Sequence, residues 1–156
     1  MIFKYLFKIV VLLLITLITE GADLKGTVES VTDGDTIKVR STNGINTIRL
    51  YGIDAPEKDQ PFGNSVTIFL KDKIENKQVF IEYSSKDRYG RIIGKVYYNG
   101  TYINNLIVKI GGAWHYKQYS NDKDLSDSEL YAKKNQLGIW KNQSAIAPWE
   151  WRKGKK

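Results

Sequence analysis

Apolar and polar residues alternate over residues 24–39, with Val28 and Val31 before Asp33-Gly34 and with Ile37 and Val39 after it. Alternation with a period of two, broken by Asp-Gly, predicts two strands joined by a turn. Asn43-Gly44 is a second hairpin signal, and Ile45, Thr47, Ile48 and Leu50 continue as strand-like text into Tyr51-Gly52-Ile53. Residues 79–83 read as a further strand, and residues 91–103 as a hairpin turning at Asn99-Gly100. Roughly five strands are therefore expected before the chain turns helical.

Three stretches keep helical spacing instead. Val66, Phe69, Leu70 and Ile74 mark one apolar face, and Ile103, Leu106, Ile107 and Ile110 mark a second that stops at Gly111-Gly112. The third is expected to begin at Ser126, with Glu129 completing a capping box, Leu125 and Leu130 forming a hydrophobic staple, and Gly138 at its end. Short strands with mixed connections, one inserted helix and two late ones predict an α+β, mainly β, closed barrel carrying three packed helices. Strand and helix do not alternate in sequence, which disfavours an open α/β sheet.

The N-terminus has a different pattern. Lys4 and Lys8 stand in a stretch without acids, and residues 9–19 are apolar apart from threonines, followed by the small residues Gly21 and Ala22. This is a signal-peptide pattern, with an uncleaved anchor as the alternative; two embedded lysines make a clean membrane span the poorer reading. The expected organisation is residues 1–21 as export signal, 22–152 as the working domain and 153–156 as a basic tail. An exported protein, secreted or periplasmic, follows from that, with only transient membrane contact through the N-terminal segment.

Composition narrows the chemistry. The 156 residues suit one domain with a real core. The absence of cysteine excludes disulfides, thiolate catalysis and thiolate zinc sites, and a single histidine leaves little scope for a zinc enzyme. The net charge is +7, and because residues 1–21 hold only Lys4, Lys8 and Glu20, +6 of it belongs to the remainder. A basic working domain favours an anionic partner.

Acids and arginines gather in four islands at expected turns or strand ends: Asp33-Gly34-Asp35-Thr36, Arg49, Asp54-Ala55-Pro56-Glu57 and Asp87-Arg88-Tyr89-Gly90-Arg91. Each alone is ordinary turn or surface text. In this order, and followed by Gly112-Ala113 and Leu137-Gly138-Ile139-Trp140, they resemble the staphylococcal nuclease (thermonuclease) family over residues 24–151. The resemblance implies an OB-fold barrel of five strands with three helices, and a calcium ion held by Asp35, Asp54 and the Ala55 backbone carbonyl. It places the general base on Glu57 and the two phosphate-binding arginines on Arg49 and Arg91. Arg88, Tyr89 and Tyr119 fall where relatives contact the nucleotide. The implied activity is calcium-dependent hydrolysis of phosphodiester bonds in DNA and RNA with little sequence specificity, leaving 3′-phosphate ends, by a monomer.

The residue chemistry agrees with that expectation. Two aspartates and a carbonyl suit a hard divalent cation and leave positions for water and a phosphate oxygen. Attack of water on phosphorus builds negative charge on the non-bridging oxygens, which a cation and guanidiniums stabilise. Arginine pairs two phosphate oxygens at once and keeps its charge, and a glutamate within reach of the water accepts its proton. Two other readings are a non-catalytic OB-fold nucleic-acid-binding module and an envelope protein facing phospholipid. The complete acid and arginine set opposes the first, and helical faces modest in charge oppose the second. The tail tryptophans are expected to seal the barrel, and lone His115 to pack or lie at the surface.

Overall fold

The computed structural model describes residues 22–155. The expected export signal, residues 1–21, lies outside the described residues. Five strands make the barrel: β1 (Ala22–Asp33), β2 (Thr36–Ser41), β3 (Gly44–Leu50), β5 (Gln78–Lys86) and β6 (Ile92–Tyr98). The two-residue β4 (Ile53–Asp54) stands apart and pairs with β8 (Trp114–His115), while β7 (Thr101–Tyr102) extends β6 through a hairpin.

Strand order β3-β2-β1-β5-β6 closes on itself because β3 also pairs with β6, in parallel, with Arg49 opposite Ile93. Closure needs one strand to serve two neighbours. β1 does so by bending at irregularities between Val28 and Ser30 and between Val31 and Asp33, so that its first half pairs with β5 and its second with β2. The inward side chains of the alternating strands, among them Val28, Ile37, Val39, Ile48, Leu50, Ile81 and Val96, are buried in one apolar core. This is the expected barrel.

Helix α1 (Gly63–Ile74) covers the core with Val66, Leu70 and Ile74, and α2 (Ile103–Lys109) with Ile103, Ile107 and Val108. Buried Asn104 joins α2 to the barrel wall. Its Oδ1 accepts from Val96 N at 3.0 Å, while its Nδ2 donates to Tyr51 O at 2.9 Å and Gly94 O at 3.1 Å. One side chain thus bonds three backbone groups of the wall, and Gly94 O also accepts from Tyr51 N at 2.8 Å.

Helix α3 (Lys123–Lys134) begins earlier than the sequence suggested. Its cap is Asp122, whose Oδ1 accepts from Asp124 N at 3.0 Å and Leu125 N at 3.4 Å. Ser126 is inside the helix, and Leu130 is exposed while Leu125 is fully buried, so the expected capping box and staple do not form. Tertiary partners decide the competition, because Lys95 Nζ lies 2.9 Å from Asp122 Oδ2. Glu129 instead reaches back to β8, accepting from His115 N at 3.1 Å and from Lys117 and Lys133 at 3.0 Å each. His115 is buried, and its Nδ1 lies 3.0 Å from Ser126 Oγ.

A 3₁₀ turn (Gly138–Lys141) and a four-residue helix α4 (Pro148–Trp151), with Pro148 at its first turn, complete the chain. The tail tryptophan Trp149 has a packing role, on the aromatic residues at and after β8. Trp149 lies flat on Tyr116, with centroids 5.1 Å apart and planes 2° from parallel, and meets Trp114 edge-on. Among the described residues no helix is long and apolar enough to cross a membrane.

Candidate active site

The turn between β1 and β2, the end of β3 and the loop after β4 meet at one rim of the barrel. Asp35 is fixed there by its backbone: its N–H donates to Asp33 Oδ1 at 3.1 Å, and its carbonyl accepts from Leu50 N at 2.8 Å. On the other side Gly52, at φ +73, turns the chain from β3 into β4. Its carbonyl accepts from Tyr116 N at 2.8 Å, and a Cβ there would strike Leu125 and Ser120. Ala55 N then donates to Asp35 Oδ2 at 2.7 Å, locking the two segments together.

Arg49 points outward from β3 into this junction. Its Nη1 donates to Leu50 O at 3.1 Å and Ile53 O at 2.9 Å, while Nη2 lies 3.0 Å from Asp54 Oδ1 and 3.2 Å from Asp35 Oδ2. One guanidinium nitrogen thus stands between two carboxylates that are almost wholly buried. Burial pushes the Asp35 carboxyl up to about 7, with Arg49 opposing the rise and the charges of Asp33 and Asp54 adding to it.

Glu57 lies on a tight loop. Gln60 Oε1 accepts from Glu57 N at 3.1 Å, Gln60 N donates to Glu57 O at 2.9 Å, and Gly63 N donates to Gln60 O at 3.0 Å. The loop ends at Phe62, which enters α1 in the left-handed region at φ 76 without a side-chain cap. The Glu57 carboxylate is partly exposed and reaches the buried acids through Arg152, whose Nη1 donates to Glu57 Oε1 at 2.7 Å and whose Nη2 donates to Asp54 Oδ2 at 2.8 Å.

Arg91 takes a separate anchor. Asp87 Oδ2 accepts from its Nε at 2.7 Å, and Asp87 Oδ1 accepts from the N–H groups of Tyr89 and Arg91 at 2.9 Å each. With Ile92 opposite Ile48 and Arg49 opposite Ile93, the alternation of side chains puts residue 91 on the same outer face as Arg49, one strand away. Among the described residues Arg91 makes no hydrogen bond to Asp35, Asp54 or Glu57. Beside it Tyr89 is 70% exposed, with Arg88 and Arg91 over its ring, and Arg88 Nη2 donates to its hydroxyl at 2.7 Å. Tyr119 is also exposed and packs edge-on against Tyr116 at 4.8 Å.

Four of the five expected side chains, those of Asp35, Arg49, Asp54 and, through Arg152, Glu57, therefore form one cluster, and Arg91 immediately precedes β6, the strand beside β3. Sequence reasoning missed Arg152 as a member, along with Gln60 and Tyr116, whose phenol is pushed up by burial and then by the nearby Asp54 charge. Pro148 before Trp149 and Trp151 signals a short helix, but nothing in the linear text points Arg152 at a carboxylate some hundred residues away.

Among the described residues no group of three or more His, Cys, Asp or Glu side chains is arranged to hold a metal ion. The donor chemistry nevertheless fits a hard cation. Two buried carboxylates converge on a single positive group at about 3 Å, with backbone oxygens alongside and no soft ligand near.

Comparison with known proteins agrees with the architecture. The family model for staphylococcal nuclease homologues matches residues 47–142. A protein named uncharacterized endonuclease from Escherichia coli is 41% identical over 132 residues, which is 84% of this chain and 86% of that protein. A micrococcal nuclease from Shigella flexneri is 36% identical over 154 residues, covering 92% of this chain and 88% of its own. A staphylococcal-like nuclease from Arabidopsis thaliana is 38% identical over 109 residues, 70% of this chain and 34% of the relative. Relatives of this family are generally metal-dependent, and nucleic acid is their substrate. With the closed mixed barrel and the acid and arginine cluster at its rim, these matches make the chain a phosphodiester hydrolase belonging to the staphylococcal nuclease family.

Proposed function

We propose that this nuclease is an exported, calcium-dependent enzyme that cleaves both DNA and RNA with little sequence preference and leaves 3′-phosphate ends. The observation that carries the reading is the position of Arg49 Nη2, within 3.2 Å of both Asp35 and Asp54 at the barrel rim. Opposed buried carboxylates of this kind are costly to fold and are kept where a cation is used. Asp35, Asp54 and the Ala55 carbonyl are the groups that would hold calcium. When bound, the ion supplies positive charge to phosphate oxygens as negative charge develops on them.

The protein's own groups divide the remaining work. Arg49 and Arg91, neighbours on one outer face, grip non-bridging phosphate oxygens through their forked N–H groups. Glu57, partly open to solvent, accepts the proton of the attacking water. Arg88, Tyr89 and Tyr119 offer charge and exposed rings that stack on any base, in keeping with broad substrate use. Recognition through phosphate charge and ring stacking makes no demand on the sugar 2′ position, in keeping with cleavage of both DNA and RNA. Export rests on the residue pattern of 1–21 and is checked by the N-terminal mass of protein recovered from the medium or periplasm. Monomeric behaviour is checked by sedimentation. Purified protein incubated with plasmid and with RNA, first in calcium and then in chelator, tests the core of the proposal. Cleavage of both substrates only with calcium supports it, and undiminished cleavage in chelator contradicts it.

A further inference from the structure

The C-terminal arm reaches the loop that carries Glu57 at three successive acidic or amide side chains. Arg152 Nη1 donates to Glu57 Oε1 at 2.7 Å, Trp151 Nε1 donates to Asp59 Oδ1 at 3.3 Å, and Gln60 Nε2 donates to Ile146 O at 2.6 Å. The arm itself is held to the barrel. Pro148 is buried at the start of α4, and Trp149 lies flat on Tyr116, whose N–H is bonded to Gly52 O. Tyr116 and Asp54 thus hang from the same short segment that turns at Gly52, so an arm stacked on Tyr116 arrives in register with Asp54.

Among the described residues, the hydrogen bond made by the Glu57 carboxylate is the one from Arg152. A glutamate on a loop otherwise keeps several rotamers, and fixing one costs side-chain entropy. Arg152 removes that freedom with a charge-assisted bond. It is steered in turn by a two-nitrogen grip on Asp54, with Nη2 at 2.8 Å from Oδ2 and Nη1 at 3.3 Å from Oδ1. A lysine carries the same charge but has no fork to span both acids.

We infer that Arg152 is a positioning residue of this nuclease: delivered by the 146–152 arm, it spans Asp54 and Glu57 and holds the Glu57 carboxylate where it meets the attacking water. The inference rests on the assignment of Glu57 as general base. It makes the 146–152 segment part of the active site.

Kinetics on a single-stranded DNA oligonucleotide in saturating calcium, with thermal melts on every variant, test it through Arg152→Ala, Arg152→Lys, Glu57→Gln and the double variant Glu57→Gln/Arg152→Ala. Loss of positioning lowers kcat about 10- to 100-fold with KM changed less than about threefold. Arg152→Lys is expected to recover only a minor part of kcat. Because Arg152 acts through Glu57, removing it in the Glu57→Gln background costs less than about twofold further. Wild-type kcat in Arg152→Ala, a loss confined to KM, or the same fold-loss with and without Glu57 overturns the inference; the last two indicate a guanidinium that binds phosphate directly. Wild-type turnover in Glu57→Gln removes the base assignment beneath it, a result distinct from a defective Glu57→Gln beside an unaffected Arg152→Ala. Should Arg152→Ala melt below the assay temperature, the same cycle built with Arg152→Lys decides.

Discussion

Gly63 lies directly against the main-chain carbonyl of Glu57, so close that a Cβ built on Gly63 would overlap the carbonyl oxygen. The first residue of α1 and the candidate base are thereby coupled through backbone, where neither side can yield by rotating a side chain. Gly63→Ala must shift the 57–62 loop. An overpacked site of this kind costs about 1–3 kcal/mol, and a displacement near 1 Å at the reacting group costs about 100-fold in rate. A melt lowered by several degrees, together with a kcat loss larger than the stability loss explains, is the expected outcome. Unchanged kcat in a folded Gly63→Ala protein would show that the loop is not held by this contact.

Asp35 gives a pH signature. Burial raises its folded value from 3.8 to about 7, so the folded state prefers the protonated form more than the unfolded chain does. The stability this contributes is fully present below pH 3.8 and is lost as pH rises through about 7. Asp35→Asn removes that dependence while keeping a carbonyl oxygen for the Ala55 N–H. In chelator, the variant should melt at about the wild-type temperature near pH 4 and several degrees above it near pH 7.5, by differential scanning calorimetry. Equal melts at both pH values would contradict the burial argument. The same variant should lose most of its activity response to calcium.

The two arginines expected to hold phosphate should separate in stability but not in rate. Arg49 lies between Asp35 and Asp54 and is mostly buried, so Arg49→Ala leaves two buried acids facing each other. Arg91 is partly exposed and anchored by Asp87. Both alanine variants should lose about 100-fold or more in turnover. Only Arg49→Ala should lose about 3 kcal/mol in a urea titration at pH 7.

Asn104 tests the frame behind the site. Asn104→Leu leaves Val96 N and Tyr51 O without the bond that the amide supplies, at about 1–3 kcal/mol for each group that water does not reach, while Gly94 O keeps its bond from Tyr51 N at 2.8 Å. A urea midpoint within error of wild type would show that these groups find other partners.

The hairpins were legible because Asp33-Gly34, Asn43-Gly44 and Asn99-Gly100 carry their turn geometry in their own residue types; Asn99 and Gly100 both take positive φ. The apolar faces of α1 and α2 were legible for the same local reason. What the text concealed was decided at long range. Asp122 outcompetes Ser126 as a helix cap because Lys95 and Tyr102, distant in sequence, converge on it. The β4–β8 pair is two residues long and has no periodicity to read. The acids and arginines of the site stand out in sequence because they cluster with glycine and proline at turns. Arg152, in a tail otherwise read as packing, acquires its meaning only when Trp149 settles on Tyr116.

Glu57 is the residue on which the catalytic role of the rim cluster turns. Single-turnover cleavage of plasmid DNA and of RNA by Glu57→Gln, at saturating calcium and with an unchanged melt, should be about 100-fold or more slower than wild type on both substrates. Calcium binding, measured by titration calorimetry on the same preparation, should stay near the wild-type value. Wild-type cleavage rates in that folded, calcium-bound variant would contradict the assignment of the barrel-rim cluster as the catalytic site.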